Sequence, residues 1–157
     1  MIYDMLVKLY ALEDNIPEKC ALAEKGVRVV RALAPDNHRV LAFVREQFGE
    51  SWVSECAVAL SRTPSTCYIA VAEHEVVGFA CYDAPAKGFF GPTGVREDRR
   101  GQDIGTALLK SCLLAMRAEG YGYAIIGSVG GARPFYEKTV GAKVIEDSSP
   151  GIYEQMI

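Results

Sequence analysis

Apolar residues along this chain recur with two periods, about two and about 3.6 residues, and the switching between them divides it into short strands and longer helices. Residues Met1 to Leu12 alternate loosely between apolar and polar and predict a strand. A short helix follows around Pro17 to Lys25, with Gly26 suited to end it. Val27 to Leu33 is rich in β-branched residues and reads as a second strand. After the turn-forming Pro35-Asp36-Asn37, a helix from about His38 to Phe48 sets Val40, Leu41, Val44 and Phe48 on one stripe. Gly49-Glu50-Ser51 breaks that pattern, Ser51 is a candidate cap for a second helix from Trp52 to about Ser61, and Pro64 marks the exit.

Cys67 to Glu73 and Val76 to Tyr82 form an apolar pair of strands around His74-Glu75, a tight-turn spacing. The sheet continues through Gly88 to Val95. Helical periodicity then returns from about Ile104 to Glu119, with Ile104, Ala107, Leu108, Cys112 and Ala115 on one face and Gly120 as a stop. Tyr123 to Ser128 reads as a buried strand. Ala142 to Glu146 and Ile152 to Ile157 read as two more, joined by the turn-forming run Asp147 to Gly151. An antiparallel front half with a strand-helix-strand crossover after it predicts an α/β domain built around one mixed sheet.

The chemistry concentrates where Arg100-Gly101-Gln102-Asp103-Ile104-Gly105-Thr106 runs into the strongest helical pattern. The first N–H groups of a helix have no partner within it and sit at the positive end of its dipole, so an anion satisfies them. Gly101 and Gly105 allow a sharp turn and close approach, Arg99 and Arg100 supply charge, and Thr106 offers a hydroxyl. An ordinary strand-to-helix loop with solvated arginines has the same local pattern.

The run Val95 to Gly105 resembles the acyl-CoA-binding motif of the GCN5-related N-acetyltransferases: Arg or Gln, two residues, Gly, one residue, then Gly or Ala. Arg100 takes the first position and Gly105 the last. Asp103 stands where the family usually has its first glycine, which sets a carboxylate near the expected pyrophosphate; the expectation is that its side chain points outward and caps free amides. Phe135-Tyr136-Glu137-Lys138, followed by Gly141-Ala142, resembles the family's helix after the fifth core strand, where a tyrosine commonly protonates the departing thiolate. Many members carry an asparagine near the end of that strand; this chain has Ser128.

The resemblance implies a single-domain fold over residues 1–157, with 1–26 as an N-terminal strand and helix and 27–157 as the core. Its sheet is mixed, mostly antiparallel and flanked by helices, and its fourth and fifth core strands splay apart to admit pantetheine between Thr93–Val95 and Ala124–Ser128. It implies acetyl-CoA as cosubstrate, with Val95, Arg100, Gly101, Gln102, Asp103, Ile104, Gly105, Thr106 and Ser128 at the cofactor and Tyr136 as catalytic acid. The reaction implied is direct transfer of acetyl to an amine, on a small molecule or a peptide. Phe48, Trp52 and Glu55 fall on the helices that wall the acceptor cleft in the family. Asp83, Glu73 and Glu55 are candidate general bases, with ordered water as the alternative. A noncatalytic acyl-CoA sensor is the alternative.

Composition narrows the rest. At 157 residues the chain is the length of one domain. A net charge of −3 argues against a nucleic-acid surface, which needs clustered cations. Locally, Arg99, Arg100, Lys110, Arg133 and Lys138 surround the two motifs as candidate phosphate partners. No apolar run reaches the roughly 20 residues of a membrane span, and the N-terminus lacks a secretion signal, so a cytoplasmic protein is expected. The five scattered cysteines read as reduced thiols, and His38 and His74 stand alone, so no metal is expected. The predicted C-terminal strand pair is a candidate edge for a homodimer.

Overall fold

The computed structural model describes residues 1–157. In chain order its elements are β1 (Tyr3–Lys8), α1 (Pro17–Glu24), β2 (Val27–Arg31), α2 (Asn37–Phe48), α3 (Glu50–Leu60), β3 (Cys67–Ala72), β4 (Glu75–Tyr82), β5 (Phe89–Val95), α4 (Ile104–Ala118), β6 (Tyr123–Val129), α5 (Arg133–Val140) and β7 (Lys143–Val144). The strands form one sheet in the order β2-β3-β4-β5-β6-β1-β7. Every neighbouring pair is antiparallel except β5 and β6, which α4 connects as a parallel pair.

The sheet is covered on both faces, and β4 shows why its sequence is a near-continuous apolar run. Phe79 and Cys81 pack with α2 and α3, through Val40, Phe43, Val44, Val53 and Cys56. Ala80 and Tyr82 pack on the other face with α4, through Leu108, Leu109 and Cys112. A strand buried on both sides has no polar side to alternate with. The predicted stripe on α2 is displaced by one position: Val40, Phe43 and Val44 are buried, while Leu41 and Phe48 lie at its margins.

The splay expected between the fourth and fifth core strands lies between β5 and β6. They pair only where β5 begins, Phe89 with Ile125 and Phe90 with Ile126, and no further bridges join them although each strand runs on. A parallel pair that opens in this way leaves backbone along the gap for a ligand to occupy.

Several boundaries differ from the sequence pattern. Gly49, at φ +103, precedes α3, and Ser51 sits inside the helix and does not cap it. The β3–β4 turn falls on Glu73 and His74, both left-handed (φ 53 and 63), because Ala72 and Glu75 are already paired. The C-terminal strand pair is not formed: only Lys143–Val144 is extended, and Gly151–Gln155 is a 3-10 helix. The place beside β6 is taken by β1, which pairs with β6 on one side and β7 on the other. Gly151 (φ +75) turns the tail against Asp4 of β1, so Ile152–Ile157 offers no edge for a dimer. No helix is long and apolar enough to cross a membrane.

Candidate active site

The loop before α4 is built to receive an anion. None of the backbone N–H groups from Gly101 through Thr106 donates to an acceptor within the chain. Gly101 (φ +77) and Asp103 (φ +68) are both left-handed, which lets the chain curl so that successive amides face one concavity. Aspartate tolerates this backbone better than most residues, which accounts for its standing at a position where glycine is usual. Its side chain is exposed, as expected, but makes no capping hydrogen bond, because the left-handed backbone carries it away from the first turn.

These amides border a cavity of about 650 Å³ on the α1/α4 face of the sheet. Arg99, Arg100, Lys110 and Lys138 line it, with Glu18 of α1 and Asp103 of the loop as its acids. Lys110 Nζ meets Glu18 at 2.9 Å, and this hydrogen bond holds the Glu18 carboxyl below its usual range. Arg100 Nε donates to the Val95 carbonyl at 3.1 Å, tying the loop to the end of β5. Arg133 does not join this set; it pairs with Glu137 at 2.8 Å and donates to the Tyr3 hydroxyl. Unpaired amides, several cations and an adjacent open strand gap suit the pyrophosphate and pantetheine of an acyl-CoA.

A second cavity, about 660 Å³, opens on the α2/α3 face of the same gap. Phe90, Gly91 and Pro92 of β5 and Gly127 and Ser128 of β6 form its floor, Trp52 and Glu55 of α3 one wall, and Ile152, Tyr153 and Met156 the other. Two close approaches shape it. A Cβ at Gly94 would lie 2.3 Å from the Phe48 ring, and one at Gly127 would lie 3.2 Å from Phe89, so both strands are bare where aromatic rings cross them. Phe48 in turn stacks against Trp52, with centroids 5.2 Å apart.

Glu55 is the acid of this cavity. Burial pushes its carboxyl pKa up, and the Tyr153 hydroxyl, donating to Oε1 at 2.8 Å, partly offsets that rise. Ser128 Oγ is buried and has no hydrogen-bond partner, while its N–H donates to Asp4 Oδ1 at 3.0 Å. The other candidate bases lie elsewhere. Asp83 accepts from the Tyr121 hydroxyl and the Gly88 N–H, and Glu73 is exposed in the β3–β4 turn.

Tyr136 is in the lining of neither cavity but packs against one residue of each. It is 7% exposed on α5 and packs edge-on against Phe90, which lines the second cavity, and Phe135, which lines the first. Burial pushes its hydroxyl pKa up to about 12.

Val95, Arg100, Gly101, Asp103, Ile104, Gly105 and Thr106 thus meet at one cavity. Gln102 is exposed and outside its lining, and Ser128 borders the other cavity. The sequence pattern singles out neither Tyr153 nor Phe90; the run Asp147 to Gly151 predicts a turn there, but one that joins two strands. Cys56, Cys67 and Cys81, distant in sequence, converge with their sulfurs within 4.8 Å of one another, fully buried under α3.

The sequence model of the acetyltransferase (GNAT) family matches residues 36–142. No curated protein matches the chain. Among solved structures it is similar to a GCN5-related glucosamine N-acetyltransferase region of a fungal multi-domain GH3 β-N-acetylglucosaminidase, at 14% identity and TM-score 0.74 over 92% of this chain and 20% of that one. A GCN5-related N-acetyltransferase from Sphaerobacter thermophilus is 19% identical, with TM-score 0.68 over 92% of this chain and 48% of that one. A GNAT family acetyltransferase from Brucella melitensis, solved in complex with acetyl-CoA, is 19% identical with TM-score 0.52 over 69% and 80%. The likeness at these identities is one of fold, and the chain spans less than half the length of the first two.

Proposed function

This chain belongs to the acetyltransferase (GNAT) family, and we propose that it moves an acetyl group from acetyl-CoA to a primary amine by direct attack. The observation that carries this reading is the pair of cavities on opposite faces of one strand gap, the first ringed by unbonded amides and cations, the second holding one carboxylate. Two reactants entering from opposite faces meet at the gap without competing for one mouth, the proximity that transfer between them needs.

Gly101 through Thr106 and the cations beside them would hold the phosphates, and the opened edge of β5 up to Val95 would take the pantetheine. Acetyl-CoA supplies an activated thioester. Glu55 receives a proton from the entering ammonium; burial raises its pKa, which makes it a better proton acceptor than an exposed glutamate. The N–C bond forms as the C–S bond breaks, so one proton leaves nitrogen and one is needed at sulfur. Tyr136 faces that requirement with a hydroxyl more weakly acidic than a thiol, whose ordinary pKa is about 8.5. It stabilises the developing thiolate by donating a hydrogen bond, passes that proton to sulfur as the C–S bond breaks, and recovers the one that leaves nitrogen. Ser128 is a further contact at the floor of the gap.

Free thiol released from acetyl-CoA in step with the mass gain of one acetyl group on an added amine tests this reading. Saturable coenzyme A binding with no amine-dependent release across an amine panel would favour a sensor instead.

A further inference from the structure

The second cavity has an unequal charge inventory. Glu55 is the only ionisable acid or base on its walls apart from the Tyr153 phenol, and no Lys, Arg or His lines it. Asp4, also negative, adjoins its floor, its Oδ1 accepting from the Ser128 N–H. The uncharged remainder is Trp52, Phe90, Tyr153, Ile152, Met156, two prolines and two glycines, with Ser51, Ser54 and Ser128 as its small polar residues.

Resting on the reading of this cavity as the acceptor side, we infer that the acceptor is a monocationic primary amine with a flat apolar body and no carboxylate or phosphate of its own, an aralkylamine and not an amino acid or sugar phosphate. A half-buried carboxylate without a counter-charge is costly, and an ammonium supplies one. An acceptor bearing its own carboxylate would set a like charge beside Glu55 and Asp4 with no cation to answer it. A dication would leave its second ammonium without a carboxylate on the walls. The rings of Trp52, Phe90 and Tyr153 accept a flat apolar body and favour a cation over their faces.

Trp52 is the sole tryptophan and lies in the wall, so its fluorescence reports occupancy without turnover. Titration with phenethylamine and with phenylalanine, which share a ring and differ by a carboxylate, is run with and without coenzyme A. The amine is expected to change Trp52 emission saturably at a concentration about tenfold or more below the amino acid, and Glu55→Gln is expected to erase that preference. Equal or tighter binding of phenylalanine, or no binding of the amine under either condition, overturns the inference, and the matched pair decides this on the native protein whether or not the variant folds. Thiol release with amino acids alone would overturn the acceptor class and leave acetyl transfer standing. Amine binding without thiol release would do the reverse.

Discussion

The Tyr153 hydroxyl donates to Glu55 Oε1 at 2.8 Å, joining the C-terminal 3-10 helix to α3 across the mouth of the second cavity. The bond lowers the Glu55 pKa against a larger upward push from burial. Two pH effects follow. The acid limb of kcat/KM should lie above the ordinary glutamate value of about 4.3, and Tyr153→Phe, by removing the lowering contact, should move it to higher pH. A limb that stays in place in Tyr153→Phe would take Glu55 out of the proton path.

The same shift has a stability consequence of opposite sense to most carboxylates. With its folded pKa raised, Glu55 holds more protons folded than unfolded between the ordinary value and its own, so it lowers stability progressively as pH rises through that window. Thermal unfolding of Glu55→Gln against the native chain should show the variant gaining relative stability with pH there. A difference that is flat with pH would contradict the burial effect.

Tyr136→Phe keeps the ring packing against Phe90 and Phe135 and removes only the hydroxyl. Turnover should fall about 100-fold, with acetyl-CoA affinity by calorimetry nearly unchanged. Equal turnover would remove Tyr136 from the chemistry.

Asp103→Gly replaces a left-handed, exposed aspartate with the residue best suited to that backbone and takes a negative charge from beside the anion loop. Coenzyme A affinity measured by calorimetry should rise a few-fold or stay level. A large loss would mean that the Asp103 carboxylate itself contributes a contact.

Gly94→Ala sets a methyl group into the Phe48 ring and forces it off Trp52 and Phe79. The variant should lose about 1–3 kcal/mol in denaturant unfolding, and amine binding should weaken with it because Trp52 loses its support.

Local features were legible in the sequence. The Gly101–Thr106 loop announced itself because a turn, cations and a strong apolar helix pattern sit side by side, and its amides need no distant partner to point at a ligand. The splay was anticipated by resemblance and not by periodicity. What the chain pattern did not show depends on contacts far apart in sequence: Tyr153 reaches Glu55 only because Gly151 folds the tail onto Asp4. Ile152–Ile157 has the composition of a strand, but β1 already fills the place beside β6 that a further strand would take. The left-handed backbone at Asp103 escaped for a similar reason, since an aspartate before a helix ordinarily signals a cap. The convergence of Cys56, Cys67 and Cys81 needs a helix and two strands to be stacked before it exists.

In the proposed reaction the amides opening α4 hold the phosphates of an acyl-CoA. Amide NMR of the native chain titrated with coenzyme A tests it residue by residue. Saturable shifts concentrated at Gly101 through Thr106 and along β5 near Val95 are expected. Absence of binding, or shifts that gather elsewhere and leave that loop unmoved, would contradict it.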